Sequence, residues 1–119
     1  MTPLNTSPSL IVVSGAQRAR RIPVPFGGKV LGRDPRLGEP FTTDQFVSRH
    51  HVLVRRIGFS AEVMDLGSAN GTYVNGTRVR DLTRLQDGDV LRIGQISLKV
   101  AAPGEKDRPA GTGEHARRP

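Results

Sequence analysis

The sequence predicts an all-β domain, a sandwich or a barrel, on three observations. Short apolar runs recur at close spacing, each bounded by glycine, proline, asparagine or aspartate. The last of them alternates strictly, with Ile96, Leu98 and Val100 apolar and Ser97 and Lys99 polar. No segment carries a sustained helical stripe of apolar residues. The pair Leu82 and Leu85, three apart, makes one helical turn at most.

Taken in chain order, residues 9–15 are a buried apolar run that stops at Gly15. Residues 18–24 have the mixed polarity of an edge strand, and Pro23, which has no N–H for a ladder, suits an edge better than a centre. Residues 29–33 follow the Gly27-Gly28 turn. Residues 51–57 and 61–66 flank Gly58 and read as a hairpin. Residues 72–74 lie between two Asn-Gly pairs, Asn70-Gly71 and Asn75-Gly76. Both residues of such a pair tolerate positive φ, so each pair predicts a tight turn. Residues 89–93 and 96–100 flank Gly94-Gln95.

At 119 residues there is room for one domain with a modest core. The apolar fraction, 35%, is low, so part of the chain is expected to lie outside that core. Residues 1–8 and 102–119, rich in Pro, Gly, Ser and charge, are expected to be a flexible N-terminal arm and C-terminal tail around a domain at 9–101. The chain has no cysteine, which excludes disulfides and thiolate chemistry. No run is long and apolar enough to span a membrane as a helix. The first residues lack the layout of a signal peptide, so a cytoplasmic setting is expected. The net charge of +7 favours anionic partners.

Residues 46–52, F-V-S-R-H-H-V, hold the densest chemistry. As metal ligands, His50 and His51 fail, because adjacent residues of a strand point to opposite faces and no cysteine supports them. As a nucleophile, Ser48 lacks the G-x-S-x-G elbow. The stretch G-G-K-V-L-G-R does not have the glycine–lysine order of a phosphate loop. Three glycosylation sequons, at Asn5, Asn70 and Asn75, have no role without secretion. Anion capture remains: Ser48 donates a hydroxyl, Arg49 adds charge, and Arg33 ends a strand after Gly32, with charge-assisted bonds the strong kind.

Four blocks in order, G-R at 32–33, S-R-H-H at 48–51, D-L-G-S-A-N-G-T-Y-V-N-G at 65–76 and L-Q-D-G-D-V-L-R-I-G at 85–94, resemble the forkhead-associated (FHA) domain family, over about Ser9 to Val100. The resemblance implies an FHA-like sandwich of two twisted, mainly antiparallel sheets of about eleven short strands, with ligand loops at one end. It implies a non-catalytic, phosphothreonine-peptide-binding module that recruits partner proteins phosphorylated by a Ser/Thr kinase, without metal or cofactor. Arg33 and Ser48 resemble the residues that bond the phosphate, Arg49 one that often adds a contact, and Asn70 the asparagine that holds the peptide backbone. His51, rather than His50, resembles the family histidine whose ring packs under the loop carrying Gly32. Gly32, Gly71, Asn75 and Gly76 resemble turn-shaping positions. Two features depart: Ala69 offers no side-chain contact, and the loop at 34–46 is less apolar than the family pattern.

The resemblance leaves a monomer whose expected partners are phosphothreonine proteins and, as a second candidate, a Ser/Thr protein kinase itself, with neither membrane nor specific nucleic acid. The alternatives are a phosphate-independent interaction scaffold and a basic nucleic-acid-associated protein. Aromatics, at 4% and dispersed, argue against stacked bases.

Overall fold

The computed structural model describes residues 7–15, 17–38 and 41–102. Most of the expected arm and tail, and part of the 34–46 loop, lie outside them. At the borders of the expected domain, Pro8 and Ala102 are buried. Pro8 O accepts from Val24 N at 3.0 Å, and Ala102 N donates to Asp87 Oδ1 at 2.9 Å.

Ten strands form among these residues: β1 (Ser9–Val12), β2 (Arg21–Pro23), β3 (Lys29–Leu31), β4 (Val52–Ile57), β5 (Ser60–Asp65), β6 (Thr72–Val74), β7 (Thr77–Arg78), β8 (Thr83–Leu85), β9 (Val90–Ile93) and β10 (Ile96–Ala101). They make a six-stranded sheet ordered β2-β1-β10-β9-β6-β7 and a four-stranded sheet ordered β3-β4-β5-β8. All the neighbours pair antiparallel. The expectation of about eleven strands thus becomes ten among the described residues. The segment from Phe41 to His50 forms no ladder; its amides turn locally instead, Asp44 N to Phe41 O and Val47 N to Asp44 O.

The strand alternation sorts residues between core and solvent. In β10, Ile96, Leu98 and Val100 are buried while Lys99 is exposed. Leu10, Val12, Leu91 and Ile93 join them from the same sheet, facing Leu31, Val52, Val54, Ala61, Val63 and Leu85 of the other. Each Leu, Ile or Val side chain among them contributes roughly 1.5–3 kcal/mol on removal from water, so this shared layer holds the sheets together. Pro23 lies on β2, at the edge of its sheet, as its missing N–H requires.

Two turns follow torsions readable from the sequence. Asn75 (φ 51) and Gly76 (φ 84) are both left-handed and join β6 to β7. The β4–β5 hairpin pairs Ile57 with Ser60 across Gly58 (φ 58). The other Asn-Gly pair behaves differently: Gly71 has positive φ (87) but Asn70 does not, so it is not a second turn of the same type. The leucines at 82 and 85, which allowed one helical turn at most, form none. Thr83–Leu85 is β8, paired with β5, and Leu85 is buried while Leu82 is 52% exposed. Their spacing was coincidence, since a three-residue strand is too short to show a period.

In β10 the core and solvent faces should separate on mutation. Leu98→Ala should lower unfolding free energy by about 2–5 kcal/mol, and Lys99→Ala by no more than about 0.5 kcal/mol. Urea denaturation of both variants measures this; equal losses would show that Leu98 does not anchor the inter-sheet layer.

Candidate anion-binding site

The site begins where β3 runs out. Beyond Leu31 the chain lies directly along residues 48–51: His51 N donates to Leu31 O at 2.9 Å, Arg33 N to Ser48 O at 3.0 Å and Asp34 N to Arg49 O at 3.2 Å. Gly32 permits this approach. A Cβ there would sit 2.0 Å from Arg49 O and 2.9 Å from Ser48 O, so any side chain forces the segments apart.

Arg33 is half-buried, and its Nε donates to Val47 O at 2.9 Å. That bond aims the guanidinium while its Nη groups have no partner among the described residues. Ser48 Oγ accepts from Ala69 N at 2.9 Å, which leaves the hydroxyl proton to donate elsewhere. Asn70 is exposed, and its Nδ2 donates to Phe46 O at 3.0 Å. Arg33, Ser48 and Asn70 therefore come from three separate segments, and direct bonds tie the Arg33 and Asn70 segments to residues 46–48.

His51 is the link beneath them. Its ring is fully buried; Nδ1 accepts from Ser48 N at 3.0 Å and Nε2 lies 2.9 Å from Gly71 O. These partners assign the neutral tautomer with the proton on Nε2, since Nδ1 faces a donor and Nε2 a carbonyl. The resemblance places this ring under the Gly32 loop. The two ring hydrogen bonds join the Ser48 segment to the Asn70-Gly71 loop, and the His51 backbone N donates to Leu31 O. With both nitrogens engaged, His51 serves neither as a base for Ser48 Oγ nor as a metal ligand. Among the described residues no group of His, Cys, Asp or Glu is arranged to hold a metal ion.

Three aspartates that the sequence reading passed over shape the loops. Asp65 accepts from Gly67 N, Ser68 N, Ser68 Oγ and Thr72 Oγ1, and Ser68 Oγ in turn accepts from Gly71 N. Burial raises its pKa, but the Ser68 and Thr72 hydroxyls and the two amides outweigh burial and hold it below the ordinary value. Asp44 is buried and accepts from Phe46 N and Gln95 N, both at 2.8 Å. Asp34, only 1% exposed, gathers Arg36 at 2.7 Å, Arg49 Nη2 at 3.4 Å and His50 Nε2 at 3.7 Å. The hydrogen bonds from the Arg36 side chain and backbone keep its carboxyl well below the usual carboxylate range. Arg49, expected to face the anion, thus lies beside Asp34 through one Nη. The signal for Asp65 was present, since an aspartate before Gly and Ser favours a turn closed by its own side chain.

Asn75 and Gly76 lie away from these donors. Asn75 Nδ2 donates to Asp89 Oδ1 and Asn75 Oδ1 accepts from Val90 N, so its side chain fastens the β6–β7 turn to β9. Beside Asn70 a recess of about 250 Å³ is lined by Phe46, Arg92, Gly94 and Gln95.

The family model described as FHA domain matches residues 29–94. An oxoglutarate dehydrogenase inhibitor of Corynebacterium jeikeium is 37% identical over 98 residues, covering 82% of this chain and 66% of that protein. The glycogen accumulation regulator GarA of Mycolicibacterium smegmatis is 36% identical over 103 residues, covering 87% of this chain and 63% of that protein. The chain thus spans about two thirds of the length of these relatives. A solved structure from a study of phosphothreonine-dependent FHA domain interactions has a TM-score of 0.71 and 34% identity, covering 80% of this chain and 95% of that one. EmbR of Mycobacterium tuberculosis, solved in complex with a low-affinity phosphopeptide, has a TM-score of 0.72 and 26% identity, covering 82% of this chain and 24% of that one.

Two substitutions test the support of the site. His51→Ala leaves Ser48 N and Gly71 O without their partner and should reduce stability by on the order of 1–3 kcal/mol; an unchanged melting temperature would remove His51 from this role. Gly32→Ala should shift the amide resonances of residues 48–51 in a proton–nitrogen NMR spectrum more than those of β10. Uniformly small shifts would mean that the close approach is not needed.

Proposed function

The chain belongs to the FHA domain family, and from that premise we propose that it is a phosphothreonine-peptide-binding module that recruits proteins phosphorylated by a Ser/Thr kinase. The observation that supports this reading is that two residues with donors to spare sit on bonded segments: Arg33 Nε bonds Val47 O, next to Ser48, and Ser48 Oγ accepts from Ala69 N, next to Asn70. A phosphate accepts from both, with Arg49 contributing charge from beside Asp34. Asn70 exchanges its bond to Phe46 O for one to the ligand backbone. Gly32, His51 and Gly71 support these groups without touching the ligand, while Asn75 and Gly76 shape the β6–β7 turn and fasten it to β9.

The role is that of a signalling adaptor, cytoplasmic and monomeric, needing neither cofactor nor catalysis. Ser48 Oγ bonds a backbone amide and no imidazole, which favours binding over acyl transfer. The relatives studied with phosphothreonine-dependent interactions and a phosphopeptide support the ligand class. Preference for threonine over serine follows from the γ-methyl, whose burial is worth roughly 0.8 kcal/mol, a few-fold in affinity.

Arg33→Ala should weaken phosphopeptide binding more than about tenfold while leaving the melting temperature nearly unchanged, since a charge-assisted bond is worth roughly 1.5–3 kcal/mol. Calorimetric titration measures the loss. For the wild type at about 0.15 M salt, the order should be phosphothreonine above phosphoserine above unphosphorylated peptide, with any oligonucleotide weaker and fading first as salt rises. Fluorescence anisotropy over a salt series decides it. Equal binding of the two phosphopeptides, or a stronger oligonucleotide, would make dispersed charge the better account.

A further inference from the structure

Arg78, Arg80 and Arg84 line one open cleft of about 620 Å³ beside the β6–β7 hairpin. All three are exposed, and none has a hydrogen-bond or ion-pair partner among the described residues. Glu62 stands opposite Arg84 in the β5–β8 register, yet its carboxylate accepts from Arg55 Nε at 2.7 Å. Two acids line the same cleft. Asp89 is buried and accepts from Asn75 Nδ2 and Gln86 N, whereas Asp81 is exposed. Leu82, half-exposed, adds an apolar contact, and no aromatic residue lines the wall.

Guanidinium groups gathered in one concavity raise the local potential, and an anion reaching them relieves their mutual repulsion. Their spread over β7, β8 and the link between suits carboxylates strung along an extended chain better than one compact ion. The cleft also adjoins the first site. The Arg78 guanidinium lies against Gly71, where an added Cβ would be 2.9 Å from Nε, next to the peptide-holding Asn70.

We propose that the Arg78–Arg80–Arg84 cleft is a second anion site that takes an acidic stretch of the same phosphoprotein whose phosphothreonine occupies the Arg33 pocket. The identity of the partner rests on the phosphothreonine reading; the cleft's affinity for acidic peptide does not. Single-stranded nucleic acid fits less well, because the cleft offers no ring on which a base can stack.

Two phosphothreonine peptides, extended at both ends by glutamates or by glutamines, distinguish the two sites. Fluorescence anisotropy at about 0.15 M salt should show the glutamate form binding wild type about threefold or more tightly. Arg80→Gln/Arg84→Gln should remove that gain and leave the glutamine form unaffected, with thermal melting confirming the fold. Equal affinities of the two peptides for the wild type overturn the cleft and leave the Arg33 pocket standing. If neither phosphopeptide binds, the phosphothreonine reading fails. The cleft is then judged on a glutamate-rich peptide without phosphate, followed by NMR of arginine Nε–H signals. Saturable shifts confined to Arg78, Arg80 and Arg84 support an acid-binding site; shifts absent, or shared equally with Arg18 and Arg21, overturn it. An oligonucleotide that displaces the glutamate-rich peptide at the same salt also overturns it.

Discussion

The site depends on one buried imidazole with a donor on one side and a carbonyl on the other. His51 holds Ser48 N through Nδ1 and Gly71 O through Nε2, while its backbone meets Leu31 O and Leu66 N. One residue thus touches the end of β3, the serine segment and both ends of the β5–β6 loop. A neutral, fully buried ring with both nitrogens satisfied adds no unpaired polar group to the core. The arginine and asparagine segments are then fastened to residues 46–48 by bonds of the same length, Arg33 Nε to Val47 O at 2.9 Å and Asn70 Nδ2 to Phe46 O at 3.0 Å.

Charge is arranged on the same principle. Asp34, Asp44, Glu62 and Asp89 are buried and answer internal donors, whereas most of the arginines stay at the surface. The acids therefore serve as turn fasteners. Asp44 joins the 41–47 loop to the Gly94-Gln95 turn, and Asp65 closes the loop that carries Asn70. The formal charge of +7 understates how cationic the accessible surface is. That explains why salt dependence, rather than binding alone, separates a shaped pocket from dispersed attraction.

Much of this was legible in the sequence because strand alternation and turn torsion are local. Ile96, Leu98 and Val100 declared their face within one short stretch, Pro23 declared an edge, and Asn75-Gly76 declared a left-handed turn. Arg33 and Ser48 were singled out by residue type and Asn70 by the family resemblance, and the fold sets them on segments bonded to one another. Where local signals were weakest the reading slipped. Leu82 and Leu85 imitated a helical turn, and Asn70-Gly71 imitated the turn that Asn75-Gly76 makes.

By itself the sequence determined the all-β class, most strand positions and the side chains available in each loop, since each follows from residues close in the chain. The tertiary structure alone decided what those groups face. His51 Nε2 meets a carbonyl 20 residues away, Asp44 meets Gln95 N across 51, and Arg33 Nε meets Val47 O across 14. It also decided that Arg49 lies beside Asp34, that Gly32 must lack a Cβ, and that three arginines share one cleft. The physical reason is the same throughout: a hydrogen bond or a clash depends on distances of a few ångströms between chain segments, and those distances exist only after the two sheets have closed on their common core.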